Sequence, residues 1–219
     1  MAMAIKLIIF DFDGTLGDTR RNIVTTMQQT MQECGLPVAD ENTCAATIGL
    51  KLCDCFRHIY PTMTAAEADD CASVYRRIFE EVKKKLTPEL FPNVHETLRR
   101  LKERGYVLTV ASSRSSLSLR GLLDDMKIAN CVSYIVGADE VTMPKPNPEP
   151  VLKTLHAMGY SADETLVVGD MPVDILMGAN AGAHTCGVTY GNASRQQLEE
   201  SGAEFIIDDM AELPDILRP

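Results

Sequence analysis

IKLIIFDFDGTLGD, residues 5–18, joins a short apolar run to two aspartates, Asp11 and Asp13, that are two positions apart. The apolar run at residues 7–10 predicts a fully buried strand. Because side chains alternate along a strand, Asp11 and Asp13 are expected to lean the same way while the segment stays extended. Two carboxylates at the end of a buried strand are costly unless a positive charge lies between them. A solvated Asp-Gly turn is the alternative, and the downstream sequence decides against it.

Size and composition limit the kind of protein this chain can be. Its 219 residues suffice for one large domain, or for a core domain with an insertion. The formal net charge is −10 and no basic stripe is visible, so nucleic acid is an unexpected partner. No apolar run approaches 18 residues and no secretory signal is visible, so neither a membrane span nor export is expected. Seven cysteines, an odd number, favour a reduced cytoplasmic protein.

The segment between Gly17 and Glu89 has a helical pattern throughout, and no strand is expected within it. Asp18 or Thr19 is predicted to cap the first helix. Shorter helical pieces are predicted around residues 41–48 and 50–60. Thr64 and Glu67 form a predicted capping box for a long helix that follows. We therefore predict a helical insertion that begins just after the opening strand.

Strands and helices alternate from residue 91 onward. Asn93 with Glu96 is predicted to cap the first of these helices. The predicted strands after it are 106–111, 134–136, 165–168, 184–188 and 205–207. Such alternation predicts an α/β fold with a doubly wound, Rossmann-like parallel sheet, here carrying an inserted α-helical cap domain. In such sheets the functional crevice lies at the carboxyl ends of the strands.

Two further aspartates follow a later strand. Gly169 and Asp170 follow the predicted strand at 165–168, and Asp174 lies on the first turn of the next helix. Helix capping alone is an alternative role for either residue. Together with Asp11 and Asp13, however, they bring four carboxylates to one sheet edge. Hard oxygen ligands in an open arrangement suit Mg²⁺, which usually takes one or two carboxylates together with a substrate phosphate.

Groups suited to phosphate follow two other predicted strands. Ser112 and Ser113 follow the strand predicted at 106–111 and offer hydroxyl and N–H groups. Lys145 lies in a proline-rich loop before a helix, where its charge suits both a phosphate and a carboxylate. Each element alone is a weak signal, but their order at successive strand ends makes chance agreement improbable.

These motifs resemble those of the haloacid dehalogenase (HAD) superfamily of hydrolases, in the subgroup with an α-helical cap that includes phosphoglycolate phosphatase. All four family motifs are matched: DFDGT at 11–15, Ser112, Lys145 and GDMPVD at 169–174. The resemblance implies a HAD-like core at 1–16 and 91–219 and a cap at 17–90. It also implies a phosphoric monoester hydrolase acting on a small-molecule phosphate ester, as a monomer or homodimer.

The resemblance implies a role for each matching carboxylate. Asp11 would attack phosphorus and form an aspartyl phosphate, and Asp13 would act as general acid and then base. Mg²⁺ would be bound by Asp11, by Asp170 and by the carbonyl of Asp13, with Asp174 in the second shell.

The phosphoryl group would be held by other residues of the same motifs. Ser112, Ser113 and Lys145 would bind its oxygens. Gly14 would allow a sharp turn with N–H groups facing the phosphate.

Substrate choice is expected to depend on residues 17–90. The segment 47–51 resembles a cap loop that folds over the active site, and Lys51 and Arg20 are weak candidates for substrate contact. Asp13 argues against halogen-removing relatives, which lack an acid/base Asp there. A phosphomutase resembling β-phosphoglucomutase stays open as an alternative, followed by a phosphonatase or a non-catalytic phosphoacceptor module.

Overall fold

The computed structural model describes residues 5–217, and a six-stranded parallel sheet lies at its centre. Numbered in chain order, the strands of the described residues are β1 (Leu7–Phe10), β2 (Gly17–Asp18), β3 (Glu89–Leu90), β4 (Val107–Ala111), β5 (Tyr134–Val136), β6 (Thr165–Gly169), β7 (His184–Val188) and β8 (Phe205–Ile207). The order in the sheet is β5-β4-β1-β6-β7-β8. All neighbours in it are parallel. The predicted fold class is therefore confirmed.

Helices connect the strands and cover both faces of the sheet. Among the described residues the α-helices are α1 (Arg20–Glu33), α2 (Glu41–Ala45), α3 (Leu52–Ile59), α4 (Ala65–Lys85), α5 (Val94–Glu103), α6 (Ser116–Asp125), α7 (Glu149–Met158), α8 (Pro172–Asn180), α9 (Arg195–Glu200) and α10 (Leu213–Ile216). None of them is both long enough and apolar enough to cross a membrane.

The central strand β1 is buried on both faces, as its unbroken apolar run predicts. Ile8 and Phe10 belong to the apolar core that α5 and α6 cover. Leu7 and Ile9 belong to a second core, with residues of α7 and α8. The period of two along the strand thus divides its side chains between two helical layers. Because β4 and β6 flank β1, the loops after these three strands open at the same edge.

The helical insertion is closed by a short ribbon that the sequence did not predict. Strand β2 pairs antiparallel with β3, at the positions where the chain enters and leaves the insertion. The expectation that no strand lies between Gly17 and Glu89 is therefore wrong at both ends. Each strand has two residues, too few to produce a recognisable pattern. The division into a core at 1–16 and 91–219 and a cap at 17–90 stays a prediction, and the ribbon lies at its boundaries.

Two predicted helix caps have other roles. The Thr19 side chain makes no capping bond to α1, and its hydroxyl donates to Asp13 instead. Asn93 precedes α5 in the left-handed region, at φ 62°, and its amide donates to the carboxylate of Asp209. The capping box of Thr64 and Glu67 is present as predicted at the start of α4.

We predict that Thr64→Ala lowers the free energy of unfolding by about 1 kcal/mol, because the Glu67 N–H loses its hydroxyl acceptor. The matched control is Ser73→Ala, an exposed hydroxyl in the middle of the same helix. It should cause no loss, since Ala is the better helix former. Urea unfolding followed by circular dichroism measures both variants, and equal losses would contradict the capping role.

Candidate active site

Three strand ends bring the predicted site residues together at one edge of the sheet. Asp11 follows β1 by one residue, Ser112 follows β4 and Asp170 follows β6. All three are buried. The Asp11 N–H donates to the carbonyl of Val168 in β6 at 2.8 Å, which fixes the backbone just beyond the strand. Parallel pairing of β1 with both neighbours thus produces the predicted convergence.

Lys145 bridges two of the carboxylates. Its Nζ lies 2.5 Å from Asp11 Oδ1 and 2.7 Å from Asp174 Oδ1. All three side chains are buried, and burial alone would lower the pKa of the lysine. The two carboxylates outweigh this effect and raise its pKa above the usual range. Lys145 therefore remains charged, and it holds Asp11 and Asp174 close together.

Asp170 is held by neutral donors. Its Oδ2 accepts from the backbone N–H of Asn192 at 2.7 Å and from the side-chain amide of Asn192 at 2.8 Å. Thr15 donates its hydroxyl to Oδ1 at 3.3 Å. Burial first, and then the neighbouring Asp174, raise the pKa of Asp170 to about 7. Burial likewise raises the pKa of Asp11 well above its ordinary value, against the opposing charge of Lys145.

The acidic cluster fits a divalent cation. One carboxylate oxygen from each of Asp11, Asp170 and Asp174 lies within 4.8 Å of the others. The charged groups that meet at this edge are four carboxylates and two cations: Asp11, Asp13, Asp170, Asp174, Lys145 and Arg114. When all of them are ionised, two negative charges are left in excess. Buried oxygen donors with such an excess are the chemistry that hard divalent ions prefer.

Asp13 has different partners from Asp11, although both were expected to lean the same way. Its carboxylate is held by Arg114, with Nε to Oδ2 at 2.7 Å and Nη2 to Oδ1 at 2.8 Å. The Thr19 hydroxyl donates to Oδ1 at 2.5 Å. β1 ends at Phe10, so strand alternation does not extend to Asp13. The two aspartates therefore have different ion-pair partners, Lys145 for Asp11 and Arg114 for Asp13.

Gly14 is required for a close approach. It has φ +92°, and a Cβ there would lie 2.1 Å from Asp170 Oδ2 and 2.4 Å from the amide nitrogen of Asn192. Its own N–H donates to the carbonyl of Gly17 at 2.9 Å, and the phosphate-facing role of this turn stays a prediction. The glycine instead lets the backbone pass directly against the Asp170 carboxylate.

The two serines after β4 have distinct contacts. Ser112 Oγ accepts from the N–H of Arg114 at 3.2 Å, which shapes the loop. Ser113 donates its hydroxyl to the carbonyl of Gly49 at 2.6 Å. A Cβ on Gly49 would lie 3.4 Å from Val173 at the start of α8, so the predicted cap loop does approach the core closely.

A cavity of about 940 Å³ lies over Asp11 and Asp13. Its wall includes Lys51 of the cap loop and Phe79 of α4. Arg20 contacts the Asn192 amide oxygen instead, at 3.4 Å, and is exposed. A space of this size is typical of small-molecule sites.

Sequence reasoning did not assign a role to Arg114, Asn192 or Thr15. Arg114 follows Ser112 by two residues at a strand end, and a cation in that position was a usable signal. Asn192 follows β7 in a Gly-Asn turn, another strand end at the same edge. Thr15 lies within the DFDGT motif itself. Its hydroxyl donates to Asp170, which follows β6, so this contact becomes visible only in the tertiary structure.

Comparison with known proteins is consistent with this geometry. The probable phosphatase IndB of Dickeya dadantii is 36% identical over 209 residues, which cover 94% of this chain and 91% of that protein. Pyrophosphatase PpaX of Bacillus mycoides is 30% identical over 215 residues, 98% of each chain. The crystal structure of a predicted phosphoglycolate phosphatase from Haemophilus somnus superposes with a TM-score of 0.85 at 27% identity, covering 98% of this chain and 99% of that one.

A family model also matches most of the chain. Residues 8–188 match the haloacid dehalogenase-like hydrolases, a span that runs from within β1 to the end of β7 and includes Asp11, Asp13, Asp170 and Asp174. The chain therefore belongs to the haloacid dehalogenase-like hydrolase family.

Proposed function

We propose that this protein is a Mg²⁺-dependent phosphatase that hydrolyses a small phosphomonoester through a phosphorylated aspartate. The observation that carries the proposal is the arrangement of the first two aspartates. Asp11 lies in a buried carboxylate cluster against Lys145, while Asp13, two residues later, is held apart by Arg114. Two carboxylates in different environments can perform different tasks.

Asp11 is the proposed nucleophile. Its carboxylate oxygen forms a bond to phosphorus as the bond from phosphorus to the ester oxygen breaks, in line with it. Lys145 contacts Asp11 Oδ1, which orients the carboxylate and places a positive charge beside the incoming phosphoryl oxygens. Hydrolysis of the resulting aspartyl phosphate by water returns Asp11 and releases phosphate.

Asp13 is the proposed acid and base. In the first step its carboxyl group gives a proton to the departing ester oxygen, and in the second its carboxylate takes a proton from the attacking water. The cavity above Asp13 offers room for the leaving group. Ser112 is proposed to bind phosphoryl oxygens with Lys145. Ser113 is a weaker candidate, because its hydroxyl is occupied by Gly49.

Asp11, Asp170 and the carbonyl of Asp13 are the proposed Mg²⁺ ligands. When bound, the ion would offset the repulsion between the nucleophile and the phosphate. Asp174 is proposed to act from the second shell, where Lys145 contacts its Oδ1 and the Met171 N–H donates to its Oδ2 at 3.1 Å.

The comparisons support phosphatase activity, and the names of the relatives cover more than one class of phosphate compound. Related proteins are named phosphatase and pyrophosphatase, and a structural relative is titled a predicted phosphoglycolate phosphatase. We propose a small phosphate ester, phosphoglycolate-like or a sugar phosphate, as the substrate. The location that we propose is cytoplasmic, because an odd number of cysteines, seven, is typical of a protein kept reduced.

Asp11→Asn should abolish turnover of p-nitrophenyl phosphate, with a loss of about 10⁴-fold or more in kcat, because the amide is not a nucleophile. Lys145 keeps Asp174 as a partner in this variant, so the fold should be retained by thermal unfolding. Asp139→Asn is the matched control, an acidic residue of the same cavity whose carboxylate accepts from Ser116. Activity near wild type in Asp11→Asn would refute the assignment.

Removal of divalent ions with EDTA should abolish turnover, and Mg²⁺ should restore it. Ca²⁺ should restore it poorly, because that ion prefers more ligands at longer distances. Asp170→Asn should raise the half-saturating Mg²⁺ concentration about 100-fold, whereas Asp139→Asn should leave it unchanged. Full activity after exhaustive chelation would contradict the metal requirement.

A further inference from the structure

Arg114 connects Asp13 to the helical insertion. The Arg114 side chain is only 10% exposed and binds both oxygens of Asp13 with its Nε and Nη2. The same guanidinium lies over the ring of Phe79, with its central carbon 4.7 Å from the ring centroid. Phe79 belongs to α4, whereas Arg114 follows β4 of the sheet. One planar cation thus contacts the proposed acid on one side and a cap helix on the other.

The ring of Phe79 is itself fixed within the cap helices. It stacks on Tyr75 at 6.1 Å between centroids, with an interplanar angle of 13°. Tyr75 in turn meets Phe56 of α3 edge-on, at 6.4 Å. All three rings are buried. Phe79 is therefore a buried ring whose stacking partner, Tyr75, lies one turn away on the same helix.

We propose that Arg114 and Phe79 are positioning residues for Asp13, and that the ring of Phe79 holds the Arg114 fork in the plane that orients the Asp13 carboxylate. The inference rests on the proposed function, in which Asp13 protonates the leaving oxygen. A bidentate Arg holds a carboxylate group in the plane of its guanidinium, whereas the ammonium of a Lys does not fix the plane of the carboxylate. A cation above an aromatic face is stabilised most when it is withdrawn from water, as Arg114 is.

The contact connects Asp13 to the helical insertion at a point far along the chain from Asp13 itself. Asp13 lies just before the segment that enters the insertion, and Thr19 at the start of that segment also contacts it. Arg114 adds a second connection, from α4. The orientation of Asp13 is thus determined jointly by the loop after β4 and by two parts of the insertion.

The test compares Phe79→Leu, which removes the ring against Arg114, with Phe56→Leu, a matched loss of a buried ring from α3 that leaves the Phe79 ring in place. Two substrates are used, p-nitrophenyl phosphate and n-propyl phosphate. The nitrophenolate leaves without a proton, whereas the propyl oxygen needs the acid. Because kcat/KM reports the steps up to leaving-group departure, it is the quantity to measure.

We expect Phe79→Leu to lower kcat/KM for n-propyl phosphate about 3- to 30-fold, the range of a cation–π contact, and for p-nitrophenyl phosphate much less. Phe56→Leu should lower the two values equally, if at all. Arg114→Lys should show the same split as Phe79→Leu, and Arg114→Gln a larger one. Adding Phe79→Leu to Arg114→Gln should then cost little more, because the contact is already lost.

Equal losses on both substrates in Phe79→Leu, the same split in Phe56→Leu, or additive effects with Arg114→Gln would overturn the inference. These readings are made on variants whose thermal unfolding matches wild type. If the Arg114 variants do not fold, the comparison of Phe79→Leu with Phe56→Leu decides the outcome. A wild-type protein inactive on both substrates would contradict the proposed function and the inference together, whereas an active wild type without the split contradicts only the inference.

Discussion

The bridge from Lys145 to Asp11 and Asp174 is the interaction on which the rest of the site depends. Carboxylates buried at one sheet edge repel each other, and desolvation adds to the cost. Lys145 offsets part of that cost at distances of 2.5 and 2.7 Å, and Arg114 offsets the charge of Asp13. The remaining excess of negative charge is what makes the cluster suited to a divalent cation. The same balance of charges thus stabilises the buried carboxylate cluster and suits it to the proposed chemistry.

The sheet provides the geometry that this balance requires. Because β1 lies between β4 and β6, residues far apart in sequence meet within a few ångströms. The backbone must also come very close at Gly14, where any side chain would collide with Asp170. The helical insertion reaches the same edge through contacts that include Gly49 with Ser113, Phe79 with Arg114 and Thr19 with Asp13. Residues of the core and of the insertion therefore both contact Asp13, the proposed acid, and both line the cavity above it.

The sheet and its acidic edge were predictable because both follow from rules that act along the chain. Apolar runs predict strands, and parallel strands bring the residues after them to one edge, so Asp11, Ser112 and Asp170 could be placed together. Arg114 at the end of β4 was a usable signal for a cation at this edge, but its pairing with Asp13 depends on the path of the chain after β1 ends, which strand alternation does not give. Asn93 resembles a helix cap in sequence but bonds to Asp209, which is distant in the chain. Which residue such a side chain binds is decided by the tertiary structure.

In the proposed mechanism Asp11 carries the phosphoryl group during turnover. To trap that state, the enzyme is mixed with substrate and Mg²⁺, reduced at once with borohydride, and mapped by peptide mass spectrometry. Borohydride converts an aspartyl phosphate to homoserine, so homoserine is expected at position 11 and nowhere else. Homoserine at another aspartate, or none at all while phosphate is released, would contradict it.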